Sequence, residues 1–286
     1  MAYRTDLAVE LLENLRGRDE LSGVSEREYE REGLHIHEAE VTTERAARLL
    51  GKPCGRYLTL SLEALSRREE EAFPRSVRVL AALIETLLPP LDSAAPVLIA
   101  GLGSRSITPD AVGPRSADHV IATRHLISRS PEFFASWRPV SVLAPGVLGQ
   151  TGVETGEIVR GVLDHVRPRA VIVIDALVRT VQLADTGIVP GSGVNNARAA
   201  LDRQTLGVPV LSIGVPTVAD GGSLAHEIAQ QLDGAQCEAL DDLSQPFIIT
   251  TRDIDREVAD TARLIGYAVN MALQHISVEE IDLYLS

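Results

Sequence analysis

The chain has 286 residues, with 40 acidic and 27 basic side chains and a formal net charge of −13, a balance that argues against nucleic acid as the main partner because phosphate binding needs a basic face. Aromatic residues are only 3% of the total, too few for base-stacking platforms, and no apolar run approaches the ~18–20 residues of a membrane span. Two cysteines, Cys54 and Cys237, make neither a disulfide framework nor a four-thiolate zinc site, and MAYRTDLAVE lacks a basic-then-apolar leader, so a cytoplasmic setting is expected.

In chain order, Leu7, Leu11, Leu12 and Leu15 share one helical face. Leu34–Val41 alternates as a strand does, with His35, His37, Ala39 and Val41 on one side, although neither face is cleanly apolar. Thr42 and Thr43 are placed to cap a short helix through Leu50, and Tyr57–Leu62 reads as a further strand. Val77, Leu80, Ala81, Ile84, Leu87 and Leu88 follow at helical spacing up to Pro89-Pro90. From residue 96 the pattern changes. Val97–Ala100, Ala170–Ile174 and Val208–Val215 are short, almost wholly apolar runs, the pattern of strands buried on both faces. Helical periodicity lies between them, as at Ile158, Val159, Val162, Leu163 and Val166, and again over Arg252–Gln274. The alternation predicts an α/β fold: a single domain over residues 1–286, with a mainly parallel central sheet flanked by helices.

In such sheets function collects in loops at the carboxyl ends of strands. GLGSRSITPDAVGP (101–114) follows the first buried strand and starts like a dinucleotide fingerprint. Its third glycine position holds Ser106, and no acidic residue ends a neighbouring strand at the required spacing, so no cofactor is expected. Asp110 in that loop and Asp175 after Ile174 are two carboxylates at strand tips. If the strands are neighbours, the pair can share a proton and hydrolyse a peptide bond by acid–base chemistry. The alternative is that Asp110 caps the next helix and Asp175 bonds loop amides. Asp185, Thr186 and Gly187, with Asp220, belong to further loops and are candidates for the same crevice, as are Gly101, Gly103, Pro109 and Gly113. His35 and His37 form an HxH that would ligate metal only with a third ligand, and a solvated strand is the simpler reading.

RTDLAVE (4–10), GRYLTL (55–60), GLGSRSITPDAVGP (101–114), ATRHL (122–126), RPVSVLAPGVLGQTGVET (138–155), VIVIDAL (171–177), DTGIVPGSGVNNAR (185–198) and IGVPTVAD (213–220) together resemble the germination protease of endospore-forming bacteria. That resemblance implies an atypical aspartic endopeptidase, its two essential aspartates falling on Asp110 and Asp175. It also implies an α/β fold similar to the hydrogenase maturation endopeptidases, a homotetramer, and small acid-soluble spore proteins as substrates in the spore core. Family members are zymogens that remove a short propeptide, and their substrates are cut in a motif like Thr-Glu-Phe-Ala-Ser-Glu. Thr5–Glu10 matches it position by position, so self-cleavage between Asp6 and Leu7 is expected, with residues 1–6 as the propeptide. The rivals are a metal-dependent peptidase using the same crevice and a non-catalytic binding module for spore proteins.

Overall fold

The computed structural model describes residues 22–177, 181–186, 200–220 and 248–285. Eight strands form one sheet: β1 (Val24–Arg31), β2 (Leu34–Val41), β3 (Gly55–Leu60), β4 (Val97–Gly101), β5 (Val140–Leu143), β6 (Ala170–Leu177), β7 (Val181–Ala184) and β8 (Val210–Pro216). Their order is β1-β2-β3-β7-β8-β6-β4-β5. The strands β8, β6, β4 and β5 run parallel, whereas β1, β2, β3 and β7 each run antiparallel to their neighbours. The expected α/β architecture is therefore present, with the parallel strands forming one half and an antiparallel extension the other.

Among the described residues, the helices of seven or more residues are α1 (Glu44–Leu50), α2 (Ala72–Leu87), α3 (Val112–Asp118), α4 (Thr155–Val166), α5 (Ile254–Gln274) and α6 (Val278–Leu285). Thr43 caps α1 as the sequence predicts, accepting the Ala46 N–H at 3.3 Å. The helical face of Leu7–Leu15 lies outside the described residues.

Period-two alternation explains why the apolar runs of the parallel half are continuous. Ile99, Ile172 and Ile174 pack with α2 and α5 on one side of the sheet. Leu98, Ala100, Val171 and Val173 pack with Val159 of α4 on the other. Every one of these side chains is buried, each contributing roughly 1.5–3 kcal/mol relative to exposure. The same two-sided cover resolves the mixed pattern of β2. Leu34 and Ile36 join the large core, while Ala39 and Val41 join a smaller one with Ala46, Leu50 and Tyr57.

At the outer edge, β1 (VSEREYER) is mostly exposed and hydrophilic. It gives no apolar signal, and backbone pairing to β2, with Glu28 opposite His37, is what makes it a strand. Among the described residues no helix is long and apolar enough to cross a membrane.

Candidate active site

The tips of β4 and β6 are joined tightly. Gly101 is level with Ile174 in the register, and the Leu102 N–H donates to the Ile174 carbonyl at 2.8 Å. The chain then loops out and returns as α3, packed backbone against backbone. A Cβ on Gly101 would strike the Gly113 carbonyl, and one on Gly113 would strike the carbonyls of Leu102 and Ile174. Only glycine allows this approach. Gly103 has φ +108 and lies against the Asp110 carbonyl. Pro109 sits in the 3-10 turn Thr108–Asp110, which Thr108 Oγ1 ties to Asp255 Oδ1 of α5 at 2.8 Å.

This turn lies close beside β6. Asp110 Oδ2 accepts the Ser104 N–H at 2.7 Å. Burial pushes the Asp110 carboxyl above the ordinary aspartate range, with the Ser104 N–H pulling the other way. Asp175 stands within β6 opposite Gly214, because the strand continues to Leu177 rather than ending at Ile174. It is only 6% exposed, and its Oδ1 accepts the Ala176 N–H at 2.8 Å. Alternation along β6 puts Asp175 on the face of Val171 and Val173, the face that α4 covers. Asp110 is bonded to Ser104, and Ser104 to Gln150 at 2.8 Å, on the loop that feeds α4. Neither carboxylate caps a helix: α3 begins after Ala111 with no side-chain cap. Each accepts a backbone N–H instead, Asp110 that of Ser104 in its own loop and Asp175 that of Ala176 in its own strand.

Ser104 and Gln150 did not emerge from sequence reasoning as site residues. Their signal is faint, a serine after GLG and a glutamine in a Gly-rich stretch. Ile107, Leu148 and Val153 are exposed apolar side chains on the same two loops.

Asp185 and Thr186 lie elsewhere. Because β7 runs against β8, with Gln182 opposite Gly214 and Ala184 opposite Ser212, the end of β7 points toward the amino ends of the parallel strands. Asp185 follows it and accepts the Arg56 N–H at 2.9 Å, closing the ladder with β3. Thr186 Oγ1 donates to the Tyr57 hydroxyl at 3.4 Å, and that phenol is pushed up to about 12 by burial. Sequence reasoning assigned Asp185 and Thr186 to the crevice as part of a loop at a strand's carboxyl end, and the end of β7 faces the opposite way. Asp220 lies in the short strand β9 (Ala219–Asp220), paired with β10 (Ile248–Ile249). Gly187, Asp6 and Leu7 lie outside the described residues. His37 is buried, with Nε2 3.4 Å from Glu26 Oε2, so only His35 of the HxH is solvated. Among the described residues no three His, Cys, Asp or Glu side chains are placed to hold a metal ion.

Residues 5–232 match the family model described as germination protease. The chain belongs to the germination protease family. It is 38% identical to the germination protease of Caldanaerobacter subterraneus subsp. tengcongensis, over 96% of this chain and 95% of that protein. It is 33% identical to that of Clostridium tetani over the full length of both. With the Bacillus subtilis germination protease it shares 42% identity over 78% of this chain and 65% of that protein. Membership of the germination protease family makes the chain a protease acting in germination, and both Asp110 and Asp175 fall in the matched segment. Among solved structures, a NiFe hydrogenase maturation protease HycI from Thermococcus kodakarensis KOD1 is similar at 15% identity and a TM-score of 0.32, covering 66% of this chain and 99% of that one.

Proposed function

We propose that the chain is an endopeptidase that opens the degradation of small acid-soluble spore proteins, with Asp110 and Asp175 as its acid–base pair. The observation that carries this reading is the close approach of the Thr108–Asp110 turn to β6, the strand that holds Asp175. One carboxylate, ionised, takes a proton from a water molecule as the water oxygen bonds to the scissile carbonyl carbon. The other, protonated, donates to the carbonyl oxygen. Collapse of the tetrahedral intermediate breaks the C–N bond, and the proton taken from water passes to the leaving amine. Two neighbouring carboxyls hold one proton between them more readily than two charges, which supplies both forms together.

The same reading makes Thr5–Glu10 a built-in substrate, cut between Asp6 and Leu7 in a zymogen that assembles as a tetramer in the spore core. The test is incubation of the full chain with a peptide containing Thr-Glu-Phe-Ala-Ser-Glu, followed by mass spectrometry. Cleavage after the first glutamate is expected, in the presence of excess chelator as well. Asp110→Asn and Asp175→Asn should each abolish it while far-ultraviolet circular dichroism stays unchanged. Wild-type turnover by both variants would overturn the pair.

A further inference from the structure

We propose that Gln150 is a positioning residue for the Asp110 carboxylate, acting through Ser104. The inference rests on the acid–base pair and assigns the group that orients one member of it.

Gln150 Nε2 carries two hydrogens and uses both, on Ser104 Oγ at 2.8 Å and Ser106 Oγ at 3.1 Å. Ser104 Oγ also receives the Ser106 N–H at 3.4 Å, and the two serine hydroxyls are hydrogen-bonded to each other at 2.9 Å. Gln150 thus holds both serines of the loop through one amide group.

Ser104 itself is 1% exposed, and its N–H holds Asp110 Oδ2. Among the described residues Asp110 Oδ1 accepts no hydrogen bond. A Cβ on Gly103 would stand 2.9 Å from Oδ1, so glycine keeps that oxygen open. One oxygen of Asp110 is thus fixed and the other is left to exchange a proton. The loop that delivers Gln150 is itself braced. Thr151 Oγ1 donates to Val153 O at 2.9 Å and accepts the Val153 N–H at 3.1 Å, and Thr155 Oγ1 donates to Gly146 O at 3.3 Å. Supporting contacts of this kind are what hold a reacting group in register.

The experiment measures kcat and KM across pH on the same peptide for the full chain, Gln150→Ala and the isosteric Gln150→Glu. Gln150 is exposed, so neither variant threatens the core. A fall in kcat on the order of tenfold is expected for both, with KM held within about twofold, because misplacement costs rate rather than binding. Loosening the Ser104 N–H removes the group that draws the Asp110 pKa down, so whichever limb of the pH profile Asp110 governs moves to higher pH. A wild-type kcat and profile, or a change in KM alone, would overturn the inference while Asp110→Asn and Asp175→Asn are inactive. Full turnover by those two variants would remove the acid–base pair, and the role of Gln150 with it.

Discussion

Gly113 stands against the carbonyl oxygen of Ile174, the residue before Asp175, so closely that a single methyl group cannot be inserted. The loop bearing Asp110 is seated on the strand bearing Asp175 by this backbone contact. Gly113→Ala must therefore push α3 away from the tips of β4 and β6. We expect a loss of about 1–3 kcal/mol of stability, the usual cost of overpacking. Activity should fall more steeply, on the order of a hundredfold, since displacement of roughly 1 Å is enough at a reacting centre. Urea unfolding and peptide cleavage on one preparation check both.

Asp110 gives a pH-linked prediction with a definite sign. Its folded pKa is raised by burial, so the ionised form is disfavoured by folding. Its contribution to stability is fully present below the unfolded aspartate value of ~3.9 and is lost as pH rises through the higher folded value. Asp110→Asn escapes that loss, because its amide stays neutral and its oxygen can still accept the Ser104 N–H. The variant should be more stable than wild type at pH 7, and the difference should shrink on acidification and vanish below the ordinary aspartate range. Urea midpoints measured from pH 3 to 7 test it; an advantage that grows on acidification would contradict it.

For Asp185 a structural effect is expected. Its carboxylate accepts the Arg56 N–H at the start of the β3–β7 ladder, so Asp185→Ala should cost about 0.5–1.5 kcal/mol, the net worth of one hydrogen bond. At saturating substrate kcat should be unchanged. A dead but folded Asp185→Ala would return this acid to the reaction.

Ile107 and Leu148 are 56% and 50% exposed on the two loops that Gln150 joins. Scattered exposed apolar residues are ordinary, but these sit on the two segments that carry Ser106 and Gln150, and we expect substrate to pass over them. Covering half of such a side chain with substrate is worth about 1 kcal/mol. Ile107→Ser and Leu148→Ser should each raise KM roughly fivefold and move stability by less than about 0.5 kcal/mol. Steady-state kinetics and thermal unfolding decide the point.

The parallel half of the sheet was legible because it is covered twice: Val97–Ala100 and Ala170–Ile174 had to be apolar at every position. The antiparallel half was read only in part. The residues of β1 pair through their backbones and keep charged side chains in water, so no hydrophobic period betrays them. Four-residue β7 is too short to carry a pattern, and its antiparallel run is what takes Asp185 away from the crevice. Asp110 and Asp175 stood out because carboxylates are conspicuous at the ends of apolar strands. Gln150 and Ser104 did not, since an amide and a hydroxyl acquire meaning only when folding brings residues 46 positions apart within 2.8 Å.

The outermost strand also bears on how the chain behaves in a crowded solution. An open β edge is a template on which other extended polypeptides can stack. With Glu26, Arg27, Glu28, Glu30 and Arg31 along its eight residues, the strand that ends the described sheet carries hydrated charge, which discourages sticking. Replacing those side chains with apolar ones would leave the catalytic machinery untouched while inviting fibrous self-association.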